Sequence, residues 1–105
     1  MRAIRLTNLA TFLPLVQGLR VTGSSGIDLA FLAMDAVDAF FHFGHHIWDY
    51  AGPALLVEEA GGVVLDPSGD DLDPFARRSL AAATGALVKQ LLGHITLLDL
   101  GRDGD

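Results

Sequence analysis

Several groups of residues in this chain are of types that can do chemistry. The segment "WDYAGPALLVEEAGG", Trp48 to Gly62, places Asp49 at the start of an apolar run that ends on two acids and a glycine pair. A carboxylate in the first turn of a helix gains about 0.3–1 kcal/mol from the macrodipole, so Asp49 is accounted for as an ordinary helix-opening charge. It is equally the kind of hard oxygen donor that a divalent cation takes. Gly23-Ser24-Ser25 reads as a strand-to-helix turn, whose helix start offers unpaired N–H groups to an anion or a sugar hydroxyl, although most such turns only cap a helix.

The histidines His42, His45 and His46 invite a zinc reading, since His42 and His46 are spaced as neighbours on a helix would be. In an extended segment that spacing is irrelevant: His42 faces opposite Phe41 and need not meet His46. A structural zinc site also wants about four ligands, from a chain that has no cysteine. A strand end with solvated or hydrogen-bonded histidines is the expectation. The acidic loop Asp66, Asp70, Asp71, Asp73 has a calcium-loop composition without the alternating oxygens and terminal Glu of an EF-hand, and reads as a solvated turn. Glu58 and Glu59 fall in the last turn of the Trp48 helix, where the dipole disfavours acids and a specific partner would be welcome.

The elements that must position these groups follow from periodicity. Ile4, Leu9, Phe12 and Leu13 suggest a helix from Arg2 to about Leu15, and "VQGLRVTG" alternates like a strand leading into Gly23. Ser25 with Asp28 forms a capping-box-like pair, after which Ile27, Phe31 and Met34 recur at helical spacing. "AVDAFFHFG" has strand character, the next helix runs from near Trp48 to the left-handed cap at Gly61-Gly62, and "VVLD" is a short strand. "PSGDDLDP" is a loop, "RSLAAAT" a last strand and "GALVKQLLGHI" a last helix. This alternation predicts an α/β fold with a mixed sheet of about four strands covered by helices. No linker, repeat or low-complexity block divides the chain, and "GRDGD" is a polar tail.

Composition narrows the partners. A formal charge of −6 and a pI near 4.9 argue against nucleic acid, whose phosphates call for clustered Lys and Arg. The absence of cysteine excludes disulfides and a thiolate nucleophile. Arg2, Arg5 and Arg20 precede the first acid, Asp28, as in a transit or signal sequence, but Gln17 and Arg20 break the apolar core that a signal needs. Acids interrupt Ile27–Phe41, so no membrane span is expected there either. Half the residues are hydrophobic and mean hydropathy is +0.40, which is apolar for a small domain and suggests faces meant for another partner.

The segments "GLRVTGSSGIDLAFLA", "VDAFF" and "WDYAGPALLVEEAGGVVLDPSG", in that order and separation, closely resemble the carboxyl-terminal half of the inositol monophosphatase family. The match runs from about Arg2 to the tail, where "GRDGD" resembles the acidic ends of animal members. The resemblance implies one half of a layered αβαβα fold and Mg²⁺-dependent hydrolysis of inositol phosphate monoesters. It further implies Asp49 as a magnesium ligand, and Gly23, Ser24 and Ser25 as contacts to the substrate ring. His42 falls where relatives often carry Glu or Gln reaching a substrate hydroxyl. Asp35 stands where a glycine is more usual.

The family's earlier half supplies a Glu and an Asp-Pro-Ile-Asp-Gly-Thr segment that hold most of the metal and grip phosphate, and these are absent from the 105 residues. The chain is therefore expected to be a single unit, inactive alone, that needs the missing amino-terminal half or a second subunit. The alternative is a non-catalytic binding or regulatory protein on the same scaffold. Homodimerisation and a cytoplasmic location are further family expectations.

Overall fold

The computed structural model describes residues 2–20, 22–73, 75–95 and 97. Its elements are α1 (Arg2–Phe12), α2 (Ser25–Ala33), β1 (Ala39–Phe43), α3 (Ile47–Glu59), β2 (Val63–Leu65), β3 (Arg78–Ala82) and α4 (Gly85–Leu92). The acidic tail expected to resemble family termini lies outside the described residues.

The α/β class is as expected, but the sheet has three strands among the described residues rather than four, and it is antiparallel rather than mixed. The order is β1-β3-β2, with Phe40 opposite Ala81 on one side of β3 and Val64 opposite Ala81 on the other. The strand expected in "VQGLRVTG" does not form: residues 16–20 and 22–23 are turns and irregular chain, and Val21 is outside the described residues. Local bonding explains part of this. The Thr22 hydroxyl donates to Asp28 Oδ1 at 2.8 Å and accepts the Ser24 N–H at 3.2 Å, a side-chain turn that competes with strand pairing.

Side-chain alternation divides the core between the two faces of the sheet. On one face Phe40, Val64 and Ala81 pack against Leu29 and Leu32 of α2 and Tyr50, Ala54 and Val57 of α3. On the other, Leu80 and Ala82 pack with Val88 of α4, joined by Phe41, Val63 and Leu65. Phe12 brings α1 to this second face, its ring centroid 5.1 Å from that of Phe41. Leu29, Tyr50 and Leu80 are fully enclosed, each worth about 1.5–3 kcal/mol of burial.

The helix period of α2 is real, but the stripe that reveals it in the sequence is not the buried one. Ile27, Phe31 and Met34 are exposed, while Leu29 and Leu32 enter the core. The helix α3 ends where expected, with Gly61 at φ +93°. Gly62 serves differently: a Cβ there would lie 2.7 Å from Val57 Cγ1 and 3.1 Å from the Ala82 carbonyl, so its role is close packing of α3 onto β3.

Candidate functional site

The amino-terminal ends of α2 and α3 and the carboxyl-terminal end of β1 converge on a cavity of about 260 Å³. Its walls include Gly23, Ser24, Ser25, His42, His45 and Asp49, so the structure brings together all five residues expected at the site from the sequence and adds His45.

Each is placed by a local device. Gly23 takes φ +86°, which turns the chain into α2. Ser24, rather than Ser25, is the N-cap: it is extended, and its Oγ accepts the Ile27 N–H at 3.3 Å. The cap thus sits one residue earlier than the Ser25–Asp28 pairing predicts. Asp28 is bonded by Thr22, and Ser25, as the first helical residue, is free to turn its hydroxyl to His45 Nδ1 at 3.1 Å.

His42 is on β1, two residues from Phe40 and so on the sheet face that α2 and α3 cover. Its ring centroid is 5.2 Å from that of His45. His45 is 3 % exposed and stacks on Tyr50 with centroids 3.9 Å apart. Of the two expected states, solvated or hydrogen-bonded, His45 takes the second: it is buried and bonded. His46 stacks instead on the exposed Trp48, at 4.5 Å. Nothing in the sequence marks His45 as the inward member, because Gly44 at φ +103° reorients the chain between it and His42.

Asp49 is the third residue of α3, and its Oδ2 accepts the His46 N–H at 2.9 Å. The helix-opening role is thus realised, and the same carboxylate lines the cavity. A carboxylate has about four lone-pair sites, so one capping bond is compatible with a second ligand.

The acidic loop is exposed at Asp70 and Asp71, as a solvated turn would be, and half-buried at Asp73, but Asp66 departs from that expectation. Asp66 is 4 % exposed and forms a two-pronged pair with Arg78, Oδ1 accepting from Nε at 2.8 Å and Oδ2 from an amino group at 3.0 Å. Burial pushes the Asp66 carboxyl up, but the bonds from Arg78, those from Ser68 and the Arg78 charge together outweigh it, holding its pKa below the usual value. Glu58 and Glu59 are both exposed, with no ion pair to either among the described residues.

For Mg²⁺, Asp49 is a suitable donor in type and place. Among the described residues, however, no three His, Asp or Glu side chains gather as a ligand set. Mg²⁺ is commonly held by one or two carboxylates together with waters and phosphate oxygens, so these residues fit a contribution to such a site and not the whole of it.

A small antiparallel sheet between helices, with a serine-bearing helix start facing an aspartate-bearing one, defines the class of fold, and comparison with known proteins gives the family. The inositol monophosphatase family model matches residues 2–97, and the chain belongs to that family. It is 41% identical over 88 residues to human inositol monophosphatase 2, covering 84% of this chain and 31% of that protein. To bovine inositol monophosphatase 1 it is 35% identical over 103 residues, covering 97% and 37%. Among solved structures, the inositol monophosphatase of Anabaena (Nostoc) superimposes with a TM-score of 0.80 at 32% identity, covering 84% of this chain and 34% of that one. The extragenic suppressor protein suhB of Bartonella henselae gives 0.81 at 31%, covering 88% and 35%. The chain spans about a third of the length of the relatives it matches.

Proposed function

We propose that this chain is a single unit forming the polyol-binding part of a Mg²⁺-dependent phosphomonoesterase that hydrolyses inositol phosphate monoesters to inositol and phosphate. The observation that carries this reading is the meeting of Gly23, Ser24, Ser25, His42 and Asp49, drawn from separate elements, around one cavity. Gly23 and the two serines offer backbone and hydroxyl groups to the ring. His42 presents an imidazole to a ring hydroxyl. Asp49 offers one oxygen to Mg²⁺ while its cap bond fixes the carboxylate's orientation. The ion, when bound, supplies a polarised phosphoryl oxygen and an acidified water.

One carboxylate with waters binds Mg²⁺ only weakly, so the chain is inactive alone and works with a further segment or second subunit that supplies the remaining ligands. The outward faces of α2 and α3 support this. Phe31 of α2, its C-cap Met34, and Trp48, Leu55 and Leu56 of α3 are exposed large hydrophobics available to such a partner. Homodimerisation and a cytoplasmic location belong to the same reading; no helix among the described residues is long and apolar enough to cross a membrane. A second reading is a non-catalytic binding or regulatory protein, consistent with the described residues holding no group of three or more ligating side chains.

The test is replacement of the matching third of a complete family enzyme by residues 2–97 of this chain. The chimera is expected to release phosphate from inositol 1-phosphate with Mg²⁺, and to lose that activity on Asp49→Asn, while the free chain releases none. A folded chimera that binds inositol phosphate without turnover would support the binding reading. Robust turnover by the free chain would contradict the claim of incompleteness.

A further inference from the structure

His45 lies on the connection between β1 and α3 and is almost wholly withdrawn from solvent, at 3 % exposure. Its ring is 14° from parallel with that of Tyr50 at 3.9 Å, and 12° from parallel with that of Phe40 at 6.4 Å. Tyr50 is itself fully buried, so the imidazole cannot swing without disturbing the core. Packing alone does not call for a histidine here. A phenylalanine would stack on the same rings without the cost of burying two polar nitrogens.

What the imidazole adds is Nδ1, which lies 3.1 Å from Ser25 Oγ. A serine hydroxyl otherwise samples three staggered wells, and a bond to an immovable ring selects one. Ser25 is the first residue of α2 and lines the cavity, so the selected well determines how its oxygen meets a ligand. If the hydroxyl donates to Nδ1, Oγ keeps its lone pairs for a ligand O–H; if Nδ1–H donates, the hydroxyl proton remains available. Both arrangements suit an uncharged alcohol, which donates and accepts.

We propose that His45 is a positioning residue, a buried imidazole that fixes the Ser25 hydroxyl as a reader of ring hydroxyls and acts on the ligand only through Ser25. The inference rests on the reading of this cavity as a polyol-phosphate site. It deepens that reading by dividing the labour: Ser25 and His45 recognise the alcohol portion and contribute nothing to phosphate.

The full chain, titrated with myo-inositol and separately with inorganic phosphate and followed by amide NMR shifts, tests this. Ser25→Ala and His45→Phe are each expected to weaken myo-inositol binding about fivefold, the worth of one neutral hydrogen bond. The double variant should bind no worse than the weaker single one, and phosphate binding should not change. His45→Phe binding inositol as the wild type does, or losses that multiply in the double variant, would overturn the proposal while leaving the cavity reading standing. A wild-type chain that binds no inositol removes the cavity reading and the role of His45 with it. Should His45→Phe fail to fold, the unliganded Ser25→Ala variant decides. Its His45 Nδ1 resonance is expected to move relative to the wild type, and an unmoved resonance overturns the proposal.

Discussion

Asp49 Oδ2 accepts the backbone N–H of His46 at 2.9 Å, so the carboxylate that lines the cavity is also the residue that closes the first turn of α3. The two roles separate under substitution. An asparagine keeps an acceptor oxygen for the cap, so Asp49→Asn is expected to lose less than about 0.5 kcal/mol in urea unfolding. Asp49→Ala is expected to lose about 1 kcal/mol, the usual worth of a helix-start bond together with the first-turn charge.

The pair Asp66–Arg78 predicts an acid limb in stability. The folded-state pKa of Asp66 is lowered, so its contribution is fully present above the unfolded value near 4 and is lost as pH falls through the lower folded value. Thermal melts from pH 5 downward should therefore show a steeper fall for the wild type than for Asp66→Asn. At neutral pH Asp66→Asn should cost about 2 kcal/mol, because it leaves the largely buried Arg78 guanidinium without its counter-charge.

Gly61 and Gly62 are adjacent but are required for different reasons, and alanine at each should show it. At Gly61, φ +93° is the difficulty and nothing lies within 4 Å of an added methyl, so the cost should be about 1 kcal/mol. At Gly62 an added methyl meets Val57 and the Ala82 carbonyl, so the cost should be about 1–3 kcal/mol, with repacking of α3 against β3 visible in the methyl shifts of Val57.

Asp35 adopts φ +67° directly after the C-cap of α2, a conformation that glycine enters without strain. Asp35→Gly is accordingly expected to raise stability, by up to about 1 kcal/mol in urea unfolding, and to leave ligand binding at the distant start of α2 unaltered.

The residues that could be read from the sequence are those whose role is local or whose motif is long. The helix α3, Ile47–Glu59, announces itself by a first-turn acid and a glycine stop, and β1 by its aromatic run, so Asp49 and His42 can be placed from the sequence. What could not be read depends on contacts distant in sequence. Ser25 meets His45 across 20 residues, and Arg78 reaches back 12 residues to Asp66, drawing that one acid of a loop exposed at Asp70 and Asp71 into an ion pair. The lost strand before Gly23 and the outward turn of Ile27, Phe31 and Met34 have one lesson in common. Apolar spacing reveals a period, but whether the apolar side faces this chain's own core depends on what else the chain packs against.

The central claim is that Asp49 offers its carboxylate to a divalent cation in the cavity it lines with Ser24, Ser25 and His42. Paramagnetic Mn²⁺, standing in for Mg²⁺, tests this on the chain itself, because the amide signals nearest the ion broaden even when binding is weak. The account predicts broadening centred on Asp49 and Ser24 to Gly26, abolished by Asp49→Asn in a protein that remains folded. Broadening centred on Asp70 and Asp71 and indifferent to Asp49→Asn would contradict it.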